Sequence, residues 1–251
     1  DSLVICYNNL ENYVQTLCGA ITQPFQEYVE MGVKDKQGEH RQLNTSLLQI
    51  ENEFYSTIRP KRTSFSGETA LSALQSRGVE YIEVRCVDLN PYEPMGINAE
   101  QMYFLDVFLL YCLLDSSEET DSVKYQRSLE NQRRMVYEGR DPDLRLLSSV
   151  GEQSLPQWGH ALLDEMLLVA AILDNSYDTK RYSESVEAQR DKLDNPDLTP
   201  SARILREMGE KDETFFALAM RLSTQHAEAY QQTPLDESVQ QRMAELAEQS
   251  H

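Results

Sequence analysis

The sequence predicts an α+β fold that is predominantly helical. Two observations carry the prediction. Stretches in which apolar and polar residues alternate, the period of a strand, cluster between residues 40 and 90. From residue 98 onward, apolar positions recur at helical spacing and are punctuated by helix start signals. A chain of 251 residues can bury a sizeable core, as one large domain or two small ones. It carries no internal repeat and no low-complexity segment.

The elements follow in order. Leu10, Tyr13, Val14, Leu17 and Ile21 mark a first helix, with Pro24 at its end or at the start of the next. KDKQGEHRQLN (34–44) is a polar loop, and Gly38 is a turn between two short strands. SLLQIENEFYSTI (46–58) is predicted as a strand. One row holds Leu48, Ile50, Asn52 and Phe54, and the other Gln49, Glu51, Glu53 and Tyr55. Pro60, lacking a backbone N–H, argues against an inner strand continuing through IRPKR. Ser66-Gly67-Glu68 opens a short helix to about Gln75, and Arg77-Gly78 stops it. A strand covers 79–88, and NPYEPMG (90–96) is a turn-rich loop.

The helix at 99–115 is the clearest element. Asn98 is its N-cap, with Gln101 three residues on. MYFLDVFLLYCLL is apolar on nearly all sides, so this helix is expected at the centre of the protein. SSEETD (116–121) is a surface loop, and helices are expected at 123–137, 157–174 and 178–193. Tyr137-Glu138-Gly139-Arg140 is a helix end with Gly at the cap. Thr199-Pro200 opens a helix at about 200–208, and another follows near 212–230. Thr233, Pro234 and Asp236 start a polar final helix that runs to about 248.

Composition narrows the function. The formal charge is −19, which repels nucleic acid and anionic lipid, so neither is an expected partner. No apolar run reaches the roughly 18 residues of a membrane span. The first residue is Asp1, with no basic leader region, so no signal peptide is expected. A missing initiator Met leaves a processed chain or a piece of something longer. The cysteines (Cys6, Cys18, Cys86, Cys112) match no zinc or redox spacing. Cys86 and Cys112 stand in apolar stretches, where buried thiols are expected, and a reduced, cytoplasmic protein is the simplest account. The histidines at 40, 160, 226 and 251 have no partner at ligand spacing, and His160 and Trp158 are expected to pack or cap.

Chemistry is sought on the strand YIEVRC (81–86). Ile82, Val84 and Cys86 form its apolar row, which is expected to face the core. Tyr81, Glu83 and Arg85 form the polar row. A carboxylate there can hold a hard cation such as Mg²⁺, and a guanidinium two residues on can clamp a phosphoryl or carboxylate group. A cross-strand ion pair on a wet sheet face is the plainer reading of the same spacing. RPKR (59–62) concentrates three positive charges in an acidic chain, suited to nucleotide phosphates or to a solvated turn. ENEFY (51–55) adds carboxylates, an amide and a phenol ahead of it. The glycine-rich phosphate loops GxxxxGK[ST] and GxGxxG are absent, as are GxSxG and HxxE-type metal motifs.

Four collinear blocks, LQIENEFYSTIRPKR (48–62), GVEYIEVRCVDLNPYEPMGI (78–97), FLDVFLLYCLL (104–114) and DNPDLTPSARIL (194–205), resemble the gamma-proteobacterial type of glutamate–cysteine ligase. The resemblance runs through nearly the whole chain. It implies a fold related to glutamine synthetase, an antiparallel funnel-shaped sheet with helices outside. Residues 1–251 would be the C-terminal part of a single catalytic domain, with strands at about 40–90, helices at about 98–250, and the N-terminal half absent. It implies ATP- and Mg²⁺-dependent joining of the γ-carboxylate of L-glutamate to L-cysteine through γ-glutamyl phosphate, the first step of glutathione synthesis. By the same resemblance Glu83 is a Mg²⁺ ligand, Arg85 contacts the transferred phosphoryl group and the activated glutamate, and Tyr55 lines the cysteine pocket.

Arg59 and Lys61 are assigned to the nucleotide phosphates on charge alone, and Asn52 and Glu53 are near enough in sequence to support the site. Family members are about twice this length, and most of their metal-binding carboxylates lie in the other half. The partners expected are therefore L-glutamate, L-cysteine, ATP and a complementary N-terminal half. A degenerate, non-catalytic ligase half and a related carboxylate–amine ligase with another acceptor stand beside this reading.

Overall fold

A computed structural model describes residues 3–233 and 235–250. Asp1, Pro234 and His251, all used in the sequence reading, lie outside the described residues. The α+β class with helical predominance holds, with two small antiparallel sheets. The chain forms two compact units. The first holds the described residues up to Asp88 together with Ser117–Arg127. The second holds Leu89–Ser116 and the described residues from Ser128 on.

In the first unit, α1 (Leu10–Thr22) is capped by the Asn9 side chain, which accepts from the N–H of Asn12. Its apolar stripe puts Tyr13, Val14 and Leu17 into a core with Ile5, Phe54, Leu71 and Leu74. Helix α2 (Gln26–Met31) follows Pro24. Gly38 turns at φ +89°, and the strands expected around it reduce to a single bridge between Lys34 and His40.

The strand expected at 46–58 does not form. Its polar side chains satisfy their own loop instead. Gln49 accepts from the N–H groups of Leu43 and Asn44, Glu53 accepts from Gln49 N–H, and Glu51–Glu53 make one 3₁₀ turn. Such local bonds compete with a ladder. The strand forms later, as β1 (Ile58–Lys61), and runs through Pro60. It pairs antiparallel with β2 (Tyr81–Val84), matching Ile58 with Val84, Arg59 with Glu83, Pro60 with Ile82 and Lys61 with Tyr81. Arg85 N–H donates to Thr57 carbonyl at 2.8 Å, one residue beyond the ladder. Hydrogen-bonded pairs alternate, so Pro60 falls in a non-bonded pair and its missing N–H costs the ladder nothing. Helix α3 (Ala70–Arg77) lies between the strands in sequence and starts later than expected, capped by Thr69. It ends at Gly78, whose φ of +75° suits glycine.

In the second unit, α4 (Ala99–Leu114) carries the expected capping box between Asn98 and Gln101. It packs with α6 (Leu155–Tyr177) and α7 (Arg181–Asp194) around Val107, Leu163, Met166, Val169, Ala170, Tyr182 and Val186. The helix is not buried all round as expected. Only Val107 is fully enclosed, while Met102, Leu113 and Leu114 are exposed, because neighbours within the unit cover one side. Cys112 is exposed for the same reason, and Cys86 is exposed as well, so the expectation of two buried thiols is corrected.

Helix α5 (Ser122–Glu138) ends before Gly139, as expected. A Cβ on Gly139 would stand 2.5 Å from Met135 carbonyl oxygen. The hairpin of β3 (Arg145–Ser148) and β4 (Gly151–Ser154) was not foreseen. Asn131 docks it by donating to Leu147 carbonyl and accepting from Leu147 N–H. His160 neither caps nor fills a core. It joins α6 to α7 between Asp194 (2.8 Å) and Arg190 (3.1 Å). Helices α8 (Pro200–Lys211), α9 (Phe215–Gln232) and α10 (Glu237–Gln249) start at Thr199, Thr214 and Asp236 caps.

Candidate functional site

The β1–β2 ladder collects the charged residues singled out in the sequence. Its register puts Arg59, Lys61, Tyr81 and Glu83 on one face and Ile58, Pro60, Ile82 and Val84 on the other. At the Arg59 end the burial is the reverse of the expectation, while Tyr81 is exposed and Val84 half-buried. Ile58 and Ile82 are exposed, whereas Arg59 is buried and Lys61 and Glu83 are half-buried. The charged row lies on the side of α1 and α3, and Ile58 and Ile82 of the apolar row are left exposed.

Glu83 is the hub. Its Oε1 accepts from Arg85 Nη2 at 3.0 Å, and its Oε2 lies 3.6 Å from Lys61 Nζ. The hydrogen bond from Arg85, then the charges of Lys61, Arg85 and Arg59, hold the Glu83 carboxyl below the usual carboxylate range against a partial burial that opposes it. Arg85 is raised in turn by the bond to Glu83 and by Tyr55. Its guanidinium stands 4.8 Å from the centre of the Tyr55 ring. Glu83 Oε2 is shielded from solvent yet has no hydrogen-bond donor among the described residues.

The three cations of RPKR separate. Lys61 joins Glu83. Arg62 donates to Arg77 carbonyl (3.0 Å) and lies 3.7 Å from Glu80. Arg59 is the one buried charged residue among those described, 8% exposed. Its charge acts on the hydroxyls of Tyr7 and Tyr13. Its Nε has no acceptor among the described residues. A cavity of about 20 Å³ beside it, lined by Tyr13, Glu51, Arg59, Lys61 and Leu71 among others, has room for one water. The loop between β1 and α3 is braced by Arg77, which donates to both oxygens of Glu68 at 2.7 Å each.

Five of the residues named from sequence, Tyr55, Arg59, Lys61, Glu83 and Arg85, thus form one cluster. Asn52 and Glu53 do not join it. Glu53 caps its own loop, and Asn52 is exposed. Sequence reasoning missed Tyr7, Tyr13 and Ser56. Tyr13 was read only as part of a helical stripe, and no local pattern links Tyr7 to a strand about fifty residues away.

The cluster carries three positive side chains around one carboxylate, in a chain of net charge −19. Such a surplus favours an anion. Among the described residues, no three His, Cys, Asp or Glu side chains converge on a metal position. Glu83 offers a shielded oxygen that accepts no hydrogen bond among the described residues and has only Lys61 at 3.6 Å, which fits a hard cation that displaces the ammonium and takes its other ligands from phosphates, water or another segment. No helix among the described residues is long and apolar enough to cross a membrane.

Residues 1–135 match the family model described as glutamate-cysteine ligase. The glutamate–cysteine ligase of Saccharophagus degradans is 46% identical over 251 residues, all of this chain and 47% of that protein. That of Pseudomonas entomophila is 43% identical over 248 residues, 99% of this chain and 47% of the relative. The crystal structure of a Francisella tularensis glutamate–cysteine ligase in complex with AMP superposes with a TM-score of 0.86 at 32% identity, over 99% of this chain and 49% of that one. A bifunctional glutathione synthetase from Pasteurella multocida shares the fold at a TM-score of 0.59 and 20% identity, over 91% of this chain and 25% of its own. The chain spans about half the length of the curated relatives it matches.

Proposed function

Because the chain belongs to the glutamate–cysteine ligase family, we propose that it supplies the C-terminal part of an ATP-dependent ligase. That ligase joins the γ-carboxylate of L-glutamate to the amino group of L-cysteine in the cytoplasm. The two units are parts of one catalytic domain, completed by an N-terminal half. The observation that carries this reading is the Tyr55–Arg59–Lys61–Glu83–Arg85 cluster, a cation-rich face with one shielded carboxylate oxygen.

The reaction runs in two transfers. The γ-carboxylate of glutamate attacks the γ-phosphorus of ATP, and ADP leaves with the bond electrons. The amine of cysteine then adds to the acyl phosphate carbon, loses a proton, and expels phosphate as the amide forms. Negative charge gathers on the phosphoryl oxygens in the first step, so positioned cations do most of the work. Arg85 donates N–H groups to those oxygens, held in place by Glu83 on one side and Tyr55 on the other. Lys61 adds a mobile charge at the strand end. Glu83 would hold Mg²⁺ through the oxygen that accepts no hydrogen bond, displacing Lys61, and the bound ion would draw charge from the phosphates. Tyr55, 73% exposed, lines the acceptor pocket beside the guanidinium. Arg59 was assigned to the phosphates by charge. Its burial suits a longer-range electrostatic contribution to the same anion.

The test is ADP release by the chain with Mg²⁺, ATP and L-glutamate, with and without L-cysteine. It is repeated after adding the N-terminal half of the Saccharophagus degradans relative. Cysteine-dependent release only in the mixture supports the proposal. Release by the chain alone would remove the need for the second half. Silence in both from a folded chain would overturn the reading in favour of a non-catalytic remnant, and release with another amine only would replace cysteine as acceptor.

A further inference from the structure

Tyr55 stands on a short loop, Tyr55–Thr57, that leads into β1, and Arg85 follows β2. One side chain fixes that loop from outside. The Tyr7 hydroxyl lies 2.9 Å from Ser56 Oγ and 2.9 Å from Ile58 carbonyl oxygen. Ser56 Oγ donates to the same carbonyl at 2.6 Å. The two hydroxyl protons make two of the three sides hydrogen bonds at a time, and either choice leaves each donor with an acceptor. Its three corners bracket Tyr55 on the loop side and the first residue of β1 on the other. The Tyr7 ring is itself backed by Tyr13, centroids 5.4 Å apart, and Tyr13 is 3% exposed in the core. The loop is thereby tied to α1.

We infer that Tyr7 is a positioning residue. Its hydroxyl holds the Ser56 side chain and the Ile58 carbonyl so that the Tyr55 ring lies against the Arg85 guanidinium. The inference rests on the proposed reading only in taking Tyr55 and Arg85 as substrate-facing. The geometric claim stands by itself. Tyr7 touches neither Glu83 nor Arg85 in any described contact, so it acts through the loop. Burial raises its phenol above the ordinary tyrosine range.

Tyr7→Phe removes one oxygen and keeps the ring packed on Tyr13. The first readout is the Arg85 Nε–H resonance of the full chain in a proton–nitrogen NMR spectrum. The Tyr55 ring shifts it upfield in the wild type, and Tyr55→Ala defines the unshifted position. We expect Tyr7→Phe to move the resonance at least halfway to that position with the melting temperature little changed. An unmoved resonance overturns the inference whether or not the chain proves to be part of a ligase. Ser56→Ala, which removes the middle oxygen, should move it in the same direction and serves if Tyr7→Phe does not fold. The second readout uses the complemented enzyme. Losing one hydrogen bond to the loop should raise KM for cysteine about fivefold and leave KM for ATP within about twofold. Equal loss on both constants would mean a general structural role and would count against the inference. Absence of any turnover in the wild-type mixture would fail the ligase reading and leave the NMR result to decide the role of Tyr7.

Discussion

Arg59→Met separates stability from function at the site. Arg59 is 8% exposed, and none of the described ion pairs within 4 Å includes it. Its Nε is shielded with no acceptor among the described residues. A buried donor left unmatched costs about 1–3 kcal/mol, and the charge itself adds a desolvation penalty of several more, offset in part by the Tyr13 hydroxyl and the field of Glu83. Methionine fills a similar volume without either cost. The variant should therefore be more stable by about 1–3 kcal/mol, within the range seen when buried ions give way to apolar side chains. At about 2–4 °C per kcal/mol for a chain of this size, melting should rise by several degrees. The same change lowers the surplus charge facing an anion by one unit. A charge roughly 8 Å away in a partly wet site is worth about 1 kcal/mol, or fivefold in affinity. Calorimetric titration of the chain with inorganic triphosphate should show that loss. A lower melting temperature would mean that the charge is part of the structural framework. Unchanged triphosphate affinity would mean that Arg59 does not act on the anion.

Two further predictions follow from the packing and the ion pairs. Met166 is wholly enclosed between α4, α6 and α7, so Met166→Ala should cost about 2–5 kcal/mol in urea denaturation; a loss below 1 kcal/mol would contradict the packing. Hydrogen bonds from Arg77, Arg133 and Lys211 hold Glu68, Glu130 and Glu207 at about 2, against 4.5 in the unfolded chain. A lowered folded-state pKa contributes stability that is present above 4.5 and lost as pH falls through 2. The urea midpoint should thus decline from about pH 4.5 downward, and less steeply in Glu68→Gln; a midpoint flat to pH 2.5 would refute the assignment.

Much of the architecture was legible because it is local. Asn98 with Gln101, and Thr199 with Pro200, mark helix starts by bonds that span three residues, and α4 and α8 begin where those signals stand. The strand predicted at 46–58 failed for a related reason. The alternation was present, but Gln49 and Glu53 bond the backbone within four to six residues and outcompete a ladder. The short β3–β4 hairpin was invisible because RLLS and GEQS lack an alternating apolar row, and its support comes from Asn131 on another element.

The sequence by itself determined the residue types of the site and the face they share. Side chains two apart on a strand point the same way, so Tyr81, Glu83 and Arg85 had to align. Only the tertiary structure decided which way that face looks. The apolar row Ile58, Ile82 and Val84 reads as a core face, yet α1 and α3 pack on the charged side and leave Ile58 and Ile82 exposed. Periodicity states that two faces differ, and the elements available to cover them determine which is buried. The pairing of Arg59 with Glu83 and the reach of Tyr7 to Ser56 likewise depend on strand register and helix packing across 24 and 49 residues of chain, distances over which no local pattern acts.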